Sequence, residues 1–366
     1  MHPENQRIFP GITADNQPMY AADMGSMYLS RVIYGAVQAG QTLGTDAYIP
    51  LAETARAMLE EFKNPSGGYY WSRKYNMEWV HDADNVNMGQ AFVLYGLTSY
   101  AQDRPSTVLD EAIHLQMDFV RSVLADTKAN LGYLDGFDLE WKPLKQQSRV
   151  FGTHLHLLEA FVKYYLYSKD QEIVPEIERL IRLILDHFID ENGWHCIHRF
   201  NLEWERLPDE VWAGHDAECS WILCEAAKAI GNRALVQETA ELALRMMDEV
   251  LRCAQDREQG GFFNAISDCL PKGENKSWWP QAEIVLGLLN CYQISGQRKY
   301  LDLAGEQVSY IQKVFVEAGG EWFAEVDRSG KTEADAPKVF FWKSLYHSVR
   351  YYAKLIEFLE AEGQTK

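Results

Sequence analysis

The sequence lacks the features that define several common classes of protein. Its six cysteines include no C-x-x-C pair, so neither a zinc knuckle nor a dithiol redox motif is indicated. No uninterrupted apolar run reaches the roughly 18 residues that a membrane-spanning helix requires. The first residues, MHPENQRIFPG, have no charged-then-apolar signal pattern. We therefore predict a soluble, reduced, cytoplasmic protein.

Positive charge is also scarce. The chain carries 35 Lys and Arg against 53 Asp and Glu, which gives a net charge of −18. Nucleic acids and anionic membranes need a basic surface, so this balance argues against both as partners but not against a neutral small molecule. The G-x-S-x-G, P-loop and G-x-G-x-x-G motifs are absent as well, so neither an α/β-hydrolase nor a nucleotide-binding enzyme is indicated.

Aromatic residues, by contrast, are abundant and recur with glycine. The chain has 11 Trp and 19 Tyr. Most should be in the core, although aromatic clefts often stack on sugar rings. Glycine–aromatic segments of β-hairpin type recur along the chain at spacings of 64, 61, 68 and 59 residues. The glycines that head them are Gly68, Gly132, Gly193, Gly261 and Gly320.

Helical apolar spacing fills the intervals between these segments. It predicts eleven helices, over residues 24–43, 50–62, 86–101, 108–125, 153–167, 173–188, 216–230, 235–252, 280–294, 299–316 and 341–359. A helix pair and a hairpin every sixty residues predicts an all-α (α/α)6 barrel with short β-hairpin excursions, an open α-solenoid being the alternative. We expect one catalytic domain over residues 1–366, with an N-terminal arm at 1–20 in place of a twelfth helix.

Two His-x-x-Glu patterns lie at predicted helix starts. His215 and Glu218 in GHDAECSW, and His156 and Glu159 in THLHLLEA, are three residues apart and therefore share a helix face. An imidazole beside a carboxylate suits proton transfer, although a helix cap with a buried histidine is the simpler interpretation. His154 lies about 200° from His156 and is interpreted as structural.

The same residues leave a metal site open as an alternative. Two His-x-x-Glu pairs could hold a metal if His347 supplied a further ligand. A proton-transfer site without metal needs the same residue types, so the residue types do not separate the two. We favour a site with neither metal nor cofactor because the pairs lack a third ligand at short spacing.

Other polar and aromatic residues occur at a similar phase of the repeat. Trp279 and Glu283 are four residues apart, so an indole and a carboxylate share a face, as a sugar site requires. Burying polar residues in otherwise apolar helices is costly unless they are used. The further candidates are Arg31, Gln90, Tyr95, Trp342 and His347.

A carboxylate pair supports a different enzyme class. Asp82 and Asp84 in WVHDADN could serve a glycoside hydrolase on the same barrel, or could simply begin the following helix. A non-catalytic sugar-binding barrel is the third possibility.

Five motifs together resemble the N-acylglucosamine 2-epimerase superfamily, which includes cellobiose 2-epimerases, mannose 2-epimerases and mannose isomerases. They are GQAFVLYGL (89–97), THLHLLEA (153–160), GHDAECSW (214–221), WWPQAE (278–283) and FWKSLYH (341–347). The resemblance implies an (α/α)6 barrel. It also implies proton transfer at C2 of an open-chain aldose through a cis-enediolate, without metal or nucleotide.

The resemblance also implies roles for individual residues. His215 and His347 would be the acid–base pair, and His156 and Glu218 would assist ring opening and hold the substrate. Arg31 would stabilise the enediolate. The expected substrate-binding residues are Arg31, Gln90, Tyr95, Trp279, Glu283 and Trp342.

The chain departs from the family pattern at two motifs. Gly152 stands where the family usually has Asn, and Ser344-Leu345 replaces Cys-Pro. We therefore expect a free monosaccharide as substrate, and D-mannose–D-fructose isomerisation as the reaction. The alternative is 2-epimerisation of mannose or glucose, cellobiose or N-acylglucosamine. A homodimer is possible.

Overall fold

The computed structural model describes residues 7–76, 78–81, 84–126 and 132–364. Helices dominate this part of the chain, and short connections alternate with longer ones that carry most of the strands. Eleven α-helices occur in it: α1 Ser26–Leu43, α2 Ile49–Glu60, α3 Asn87–Asp103, α4 Thr107–Phe119, α5 Phe151–Ser168, α6 Val174–His187, α7 Ala213–Ile230, α8 Arg233–Cys253, α9 Trp278–Ser295, α10 Arg298–Val314 and α11 Tyr346–Gln364.

The strands are short and pair only locally. Within the described residues they form two three-stranded and four two-stranded antiparallel sheets, none of them closed. The predicted all-α class with β-hairpin excursions is therefore confirmed. The strands are β1 Met24–Gly25, β2 Ser72–Asn76, β3 Glu78–Val80, β4 Asn85–Val86, β5 Gly136–Phe137, β6 Arg149–Val150, β7 Ile189–Asp190, β8 His195–Cys196, β9 Arg199–Phe200, β10 Val211–Trp212, β11 Ala265–Ser267, β12 Leu270–Pro271, β13 Lys276–Ser277 and β14 Glu325–Val326.

The chain divides into two compact units. The first contains Met1–Leu183, Arg199–Leu207 and Val339–Tyr346, and the second contains Ile184–His198, Pro208–Lys338 and His347–Lys366. In the first unit α3 packs against α1, α4 and α5. In the second, α7 and α9 pack against each other and against α8, and α10 covers α9. A single domain over residues 1–366 stays a prediction.

Burial separates central helices from peripheral ones. In α9, 13 of 18 residues are buried, on every side of the helix. In α10, only 4 of 17 are buried, and they recur every three or four residues. A helix that is apolar all round must be enclosed, whereas one apolar stripe suits a helix at the surface. The sequence pattern therefore dictates which helix of each pair is central.

Most helix boundaries agree with the sequence analysis. Ten of the eleven helices begin within three residues of the predicted start, and the first described helix begins at Ser26. The exception is α11, which begins at Tyr346 rather than residue 341. The backbones of Phe340 and Lys343 pair in a tight turn, so Trp342 lies before the helix and not in it.

A repeated hydrogen bond ties each glycine–aromatic segment to a central helix. The fourth residue of α3, α5, α7 and α9 accepts a hydrogen bond from a backbone N–H of the segment before that helix. We call these residues the clamps. The four pairs are Tyr69 N to Gln90 Oε1 (2.9 Å), Tyr133 N to His154 Nε2 (3.0 Å), Cys196 N to Asp216 Oδ1 (2.7 Å) and Phe262 N to Gln281 Oε1 (3.0 Å).

Two of the clamps are chemically the same. Gln90 Nε2 also donates to the Tyr69 carbonyl at 2.5 Å, and a second glutamine, Gln116, donates to Gln90 Oε1 at 3.1 Å. Gln281 repeats both contacts with its own partners. Gln90 is fully buried and its amide is engaged by these partners. These contacts give Gln90 a structural role, and its role in substrate binding stays a prediction.

At two positions of the glycine period the clamp leaves room only for glycine. Gly68 and Gly132 both have positive φ, of 62° and 92°. A Cβ at Gly68 would lie 2.9 Å from Gln90 Oε1, and one at Gly132 only 2.5 Å from His154 Nε2. Glycine is therefore required twice over, for its backbone conformation and for the space that the clamp occupies.

His154 is a structural histidine, as predicted. Its Nδ1 lies 2.7 Å from the Val150 carbonyl, so this nitrogen donates and Nε2 accepts from Tyr133. Burial lowers the pKa of His154 to about 4. The imidazole is therefore neutral near pH 7, as an acceptor must be.

Two expectations about the whole chain have different outcomes. None of the described helices has the length and apolar character needed to cross a membrane. Cys253 and Cys269 form a disulfide, so the prediction that every cysteine is reduced is wrong for these two. The disulfide joins the last residue of α8 to the turn after β11. A search for C-x-x-C motifs could not find this pair, because the two cysteines are 16 residues apart.

The His154 clamp makes the stability of the protein depend on pH. The unfolded chain binds a proton on this imidazole below its usual pKa of 6.5, whereas the folded chain does so only below about 4. Between these values stability falls as the pH is lowered, by about 3 kcal/mol in total. We expect His154→Gln, which copies the clamps at Gln90 and Gln281, to reduce this slope. Denaturant titrations at pH 4 to 7 measure it, and an unchanged slope would contradict the assignment.

Candidate active site

Three helices of the second unit carry the polar residues that the sequence singled out. His215 and Glu218 lie in the first two turns of α7, and Trp279 and Glu283 in those of α9. His347 is the second residue of α11. All of these side chains therefore lie near the N-terminal ends of their helices.

A buried ion network joins α7, α9 and α11. One guanidinium nitrogen of Arg350 donates to Glu218 Oε1 at 2.5 Å and to Glu283 Oε1 at 2.7 Å. All three side chains are at most 1% exposed. Two carboxylates and one guanidinium have a net charge of −1, which is costly to bury unless a further positive charge lies nearby.

His347 lies against this network. Its Nδ1 is 2.8 Å from Glu283 Oε1, and Trp221 Nε1 donates to the other carboxylate oxygen at 3.0 Å. A carboxylate only accepts when ionised, so His347 carries a proton on Nδ1. The carboxylate therefore fixes both the tautomer and the orientation of the ring, and Nε2 is the nitrogen that can exchange protons.

Trp279 borders both candidate catalytic histidines. Its ring centroid is 4.9 Å from that of His215 and 5.6 Å from that of His347. The indole approaches α7 at Gly214, where a Cβ would lie 2.5 Å from the indole ring. Glycine at this position therefore allows two imidazoles and one indole to meet in a small space.

The two His-x-x-Glu patterns have different partners. Glu218 accepts from Arg350, and His215 Nδ1 lies 3.0 Å from His198 Nε2. In the first unit, His156 Nδ1 is 3.3 Å from Glu159 Oε2, as the pattern predicts. Identical spacing therefore does not imply identical contacts.

His156 belongs to a second polar cluster, which lies in the first unit. Its ring is 4.6 Å from that of Phe92, and the Tyr346 hydroxyl donates to Glu159 Oε2 at 2.5 Å. The Arg31 guanidinium lies 4.2 Å from the Phe92 ring centroid and 5.0 Å from that of Tyr346. A buried cation is thus held by two aromatic faces.

The remaining predicted residues of the first unit lie around this cluster. Arg31 Nη1 donates to the Trp342 carbonyl at 3.1 Å. Trp342 itself is 50% exposed, and its ring is 5.9 Å from that of Trp71. Tyr95 is buried, with its ring 4.9 Å from that of Tyr34.

Two sets of side chains in the described residues have the spacing of metal ligands. The first is Glu218, Glu283 and His347, with ligand atoms within 4.8 Å of one another. Arg350 donates to both of its carboxylates, so a divalent cation would compete with a buried guanidinium for them. The second set is His195, Glu249 and Cys253, whose cysteine is joined to Cys269 and offers no thiolate. Metal independence stays a prediction.

The carboxylates proposed for a hydrolase receive little support. Asp82 lies outside the described residues, and Asp84 is exposed before α3. A general acid with a raised pKa needs a sheltered environment.

Sequence reasoning missed two residues of the second unit. Arg350 had a usable signal, because it follows His347 by three residues in an aromatic helix and so shares a face with it. His198 had none, because it lies 17 residues before its partner His215, outside any helix.

Comparison with known proteins identifies the family of this chain. The family model described as N-acylglucosamine 2-epimerase (GlcNAc 2-epimerase) matches residues 8–350. The cellobiose 2-epimerase of Dictyoglomus turgidum is 29% identical over 357 residues, which cover 94% of this chain and 90% of that protein.

Solved structures show the same fold. The cellobiose 2-epimerase of Bacillus thermoamylovorans B4167 superposes with a TM-score of 0.87 at 23% identity, covering 97% of this chain and 93% of that one. A D-mannose isomerase gives a TM-score of 0.86 at 19% identity, with the same coverage. The predicted (α/α)6 class is thereby confirmed. The prediction of an isomerase-class enzyme is confirmed as well. Because the family model spans nearly the whole chain, the chain belongs to the N-acylglucosamine 2-epimerase family.

Proposed function

We propose that this protein epimerises an aldose with a free reducing end at C2, with His215 and His347 as the two proton-transfer groups. The observation that carries the proposal is that both imidazoles border the indole of Trp279. An indole is a surface on which a sugar chain or ring can stack.

Epimerisation needs a proton removed from one face of C2 and another delivered to the opposite face. The C2 proton of an open-chain aldose is weakly acidic, so a base that works near neutral pH is required. Two histidines on different helices, α7 and α11, meet this requirement. For one epimer His215 removes the proton and His347 delivers one; for the other epimer the roles are exchanged.

The buried ion network supports the proton donor. Glu283 accepts from His347 Nδ1, so a proton delivered to substrate leaves from Nε2. Arg350 donates to Glu218 and Glu283, so the carboxylate that orients His347 is itself held in place. Trp221 holds the second oxygen of Glu283 and prevents the carboxylate from turning away.

The family resemblance also gives roles to two residues of the first unit. By resemblance, His156 assists ring opening and Arg31 stabilises the enediolate. His156 is hydrogen-bonded to Glu159, and Arg31 is almost fully buried between aromatic rings. A preorganised cation in a site of low dielectric stabilises an enediolate more than it would in water.

Aldose–ketose isomerisation of D-mannose is the second candidate. It was first choice from the sequence, because Gly152 and Ser344-Leu345 depart from the family pattern. The curated relatives named cellobiose 2-epimerase favour epimerisation instead. Both reactions share the enediolate and differ only in whether the proton returns to C1 or C2.

Incubation in heavy water distinguishes these reactions. We expect EDTA-treated protein to convert D-mannose, D-glucose or cellobiose into the C2 epimer, with deuterium at C2 in the NMR spectrum. Fructose or another ketose as the main product would establish isomerisation. Absence of both turnover and C2 exchange with all three sugars would contradict the proposal, and activity lost only to EDTA would restore the metal site.

Single histidine variants test the two-base assignment. We expect His215→Asn and His347→Asn each to reduce net epimerisation at least about 100-fold, because general acid–base catalysis is lost. Each variant should keep C2 hydrogen–deuterium exchange for one epimer and lose it for the other, with opposite preferences. If both variants lost exchange on the same epimer, one base would serve both faces.

Arg350 tests the ion network. Arg350→Met leaves Glu218 and Glu283 buried without their cation. We expect the free energy of unfolding at pH 7 to fall by about 3 kcal/mol, because removing one partner of a buried ion pair leaves an uncompensated charge in the interior. The matched variant Glu218→Gln/Arg350→Met should recover part of this loss in denaturant titrations. Equal stabilities of all three proteins would show that the carboxylates do not depend on Arg350.

A further inference from the structure

We propose that His198 is a positioning residue, which holds His215 in the tautomer whose Nε2 acts as the base. The inference rests on the proposed function, in which His215 removes the C2 proton. It concerns a residue outside the five motifs that carry the family resemblance.

The first step concerns the proton on His198. Its Nδ1 lies 2.8 Å from the carbonyl oxygen of Glu210. A carbonyl oxygen only accepts, so Nδ1 of His198 must be the protonated nitrogen. The Asp209 carboxylate, 3.6 Å from the same nitrogen, favours a proton there as well. In the neutral ring Nε2 is therefore an acceptor.

The second step passes this constraint to His215. His198 Nε2 and His215 Nδ1 are 3.0 Å apart, and one of the two must donate. Because His198 Nε2 accepts, His215 Nδ1 carries the hydrogen. Its other nitrogen, Nε2, then carries no hydrogen and has the lone pair with which to remove a proton. If His198 were protonated on both nitrogens, His215 would instead present an N–H at Nε2.

Neighbouring charges leave this arrangement in place. Asp216, the next residue on α7, faces away from His215 and lies 2.6 Å from His195 Nδ1. Glu218 accepts from Arg350. The Trp279 ring, which also lies against His215, is not titratable. The acceptor nitrogen of His198 therefore holds the hydrogen of His215 on Nδ1.

The same contact stabilises the product of proton transfer. When Nε2 of His215 takes the C2 proton, the imidazolium Nδ1–H still donates to His198 Nε2. His198 is only 7% exposed, and a hydrogen bond to a cation is strong in such a sheltered place. No proton has to leave His198 for this to happen.

The experiment compares His198→Leu, which removes the acceptor, with His198→Gln, whose side-chain carbonyl can still accept from His215. We expect the leucine variant to lower kcat by about 100-fold, the scale of losing a correctly oriented base, and to change KM less than twofold. The same loss should appear in the rate of C2 deuterium exchange of the epimer that His215 deprotonates. The glutamine variant should recover most of the rate, and a leucine variant with unchanged kcat would overturn the proposal.

Nitrogen-15 NMR of the wild-type protein reads the tautomer directly, with the His215 signals assigned by their loss in His215→Asn. We expect Nδ1 to be protonated and Nε2 not, and a wild-type protein with the hydrogen on Nε2 would overturn the proposal even if the leucine variant did not fold. This readout needs no turnover. An Nδ1–H tautomer in a protein that exchanges no sugar would therefore refute the proposed function and leave the role of His198 intact.

Discussion

The structure depends on one repeated hydrogen bond, from a backbone N–H of a glycine–aromatic segment to the fourth residue of a central helix. It ties the first turn of each helix to the segment before it. Residues next to the clamp are therefore held in a fixed position relative to that segment. Asp216 lies one residue after His215 and two before Glu218. Gln281 likewise lies between Trp279 and Glu283. The clamps therefore connect the glycine–aromatic segments to the residues that we propose for proton transfer.

Helix geometry separates clamps from site residues. The sixth residue of a helix lies about 200° from the fourth, on the opposite side. The sixth residues make the buried ion, cation–π and imidazole contacts described above, whereas the fourth residues hold the segments. The sixth residues are Arg31, Phe92, His156, Glu218 and Glu283. His215, the third residue of α7, lies three before Glu218 and so shares its face, which is how two residues of one helix serve the same site.

These positions explain what the sequence could and could not reveal. The glycine period and the apolar spacing are local, so they predicted the helices, the hairpins and the fold class. His215, His347 and Glu283 were found because polar residues in enclosed helices are costly unless used. Gln90 was singled out by the same reasoning, although the clamp contacts also satisfy its buried amide, because a helix start uncertain by two residues cannot separate the fourth position from the sixth. The Cys253–Cys269 disulfide depends on how α8 ends against a turn, which no local pattern fixes.

The contact between His198 and His215 follows from the clamp in the same way. His198 is two residues after Cys196, and His215 is one residue before Asp216, so the Cys196–Asp216 hydrogen bond brings them together. Earlier repeats place the equivalent pairs together too. Asp135 accepts from Thr153, and a Cβ at Gly89 would lie 2.8 Å from the Trp71 ring. In these repeats the residue two positions after the clamp donor thus lies against the first turn of the helix. Its side chain determines which contacts that turn can make. With His198 in this position, the segment supplies an imidazole nitrogen that accepts from His215 Nδ1, whereas in the earlier repeats the same position holds a carboxylate or an indole.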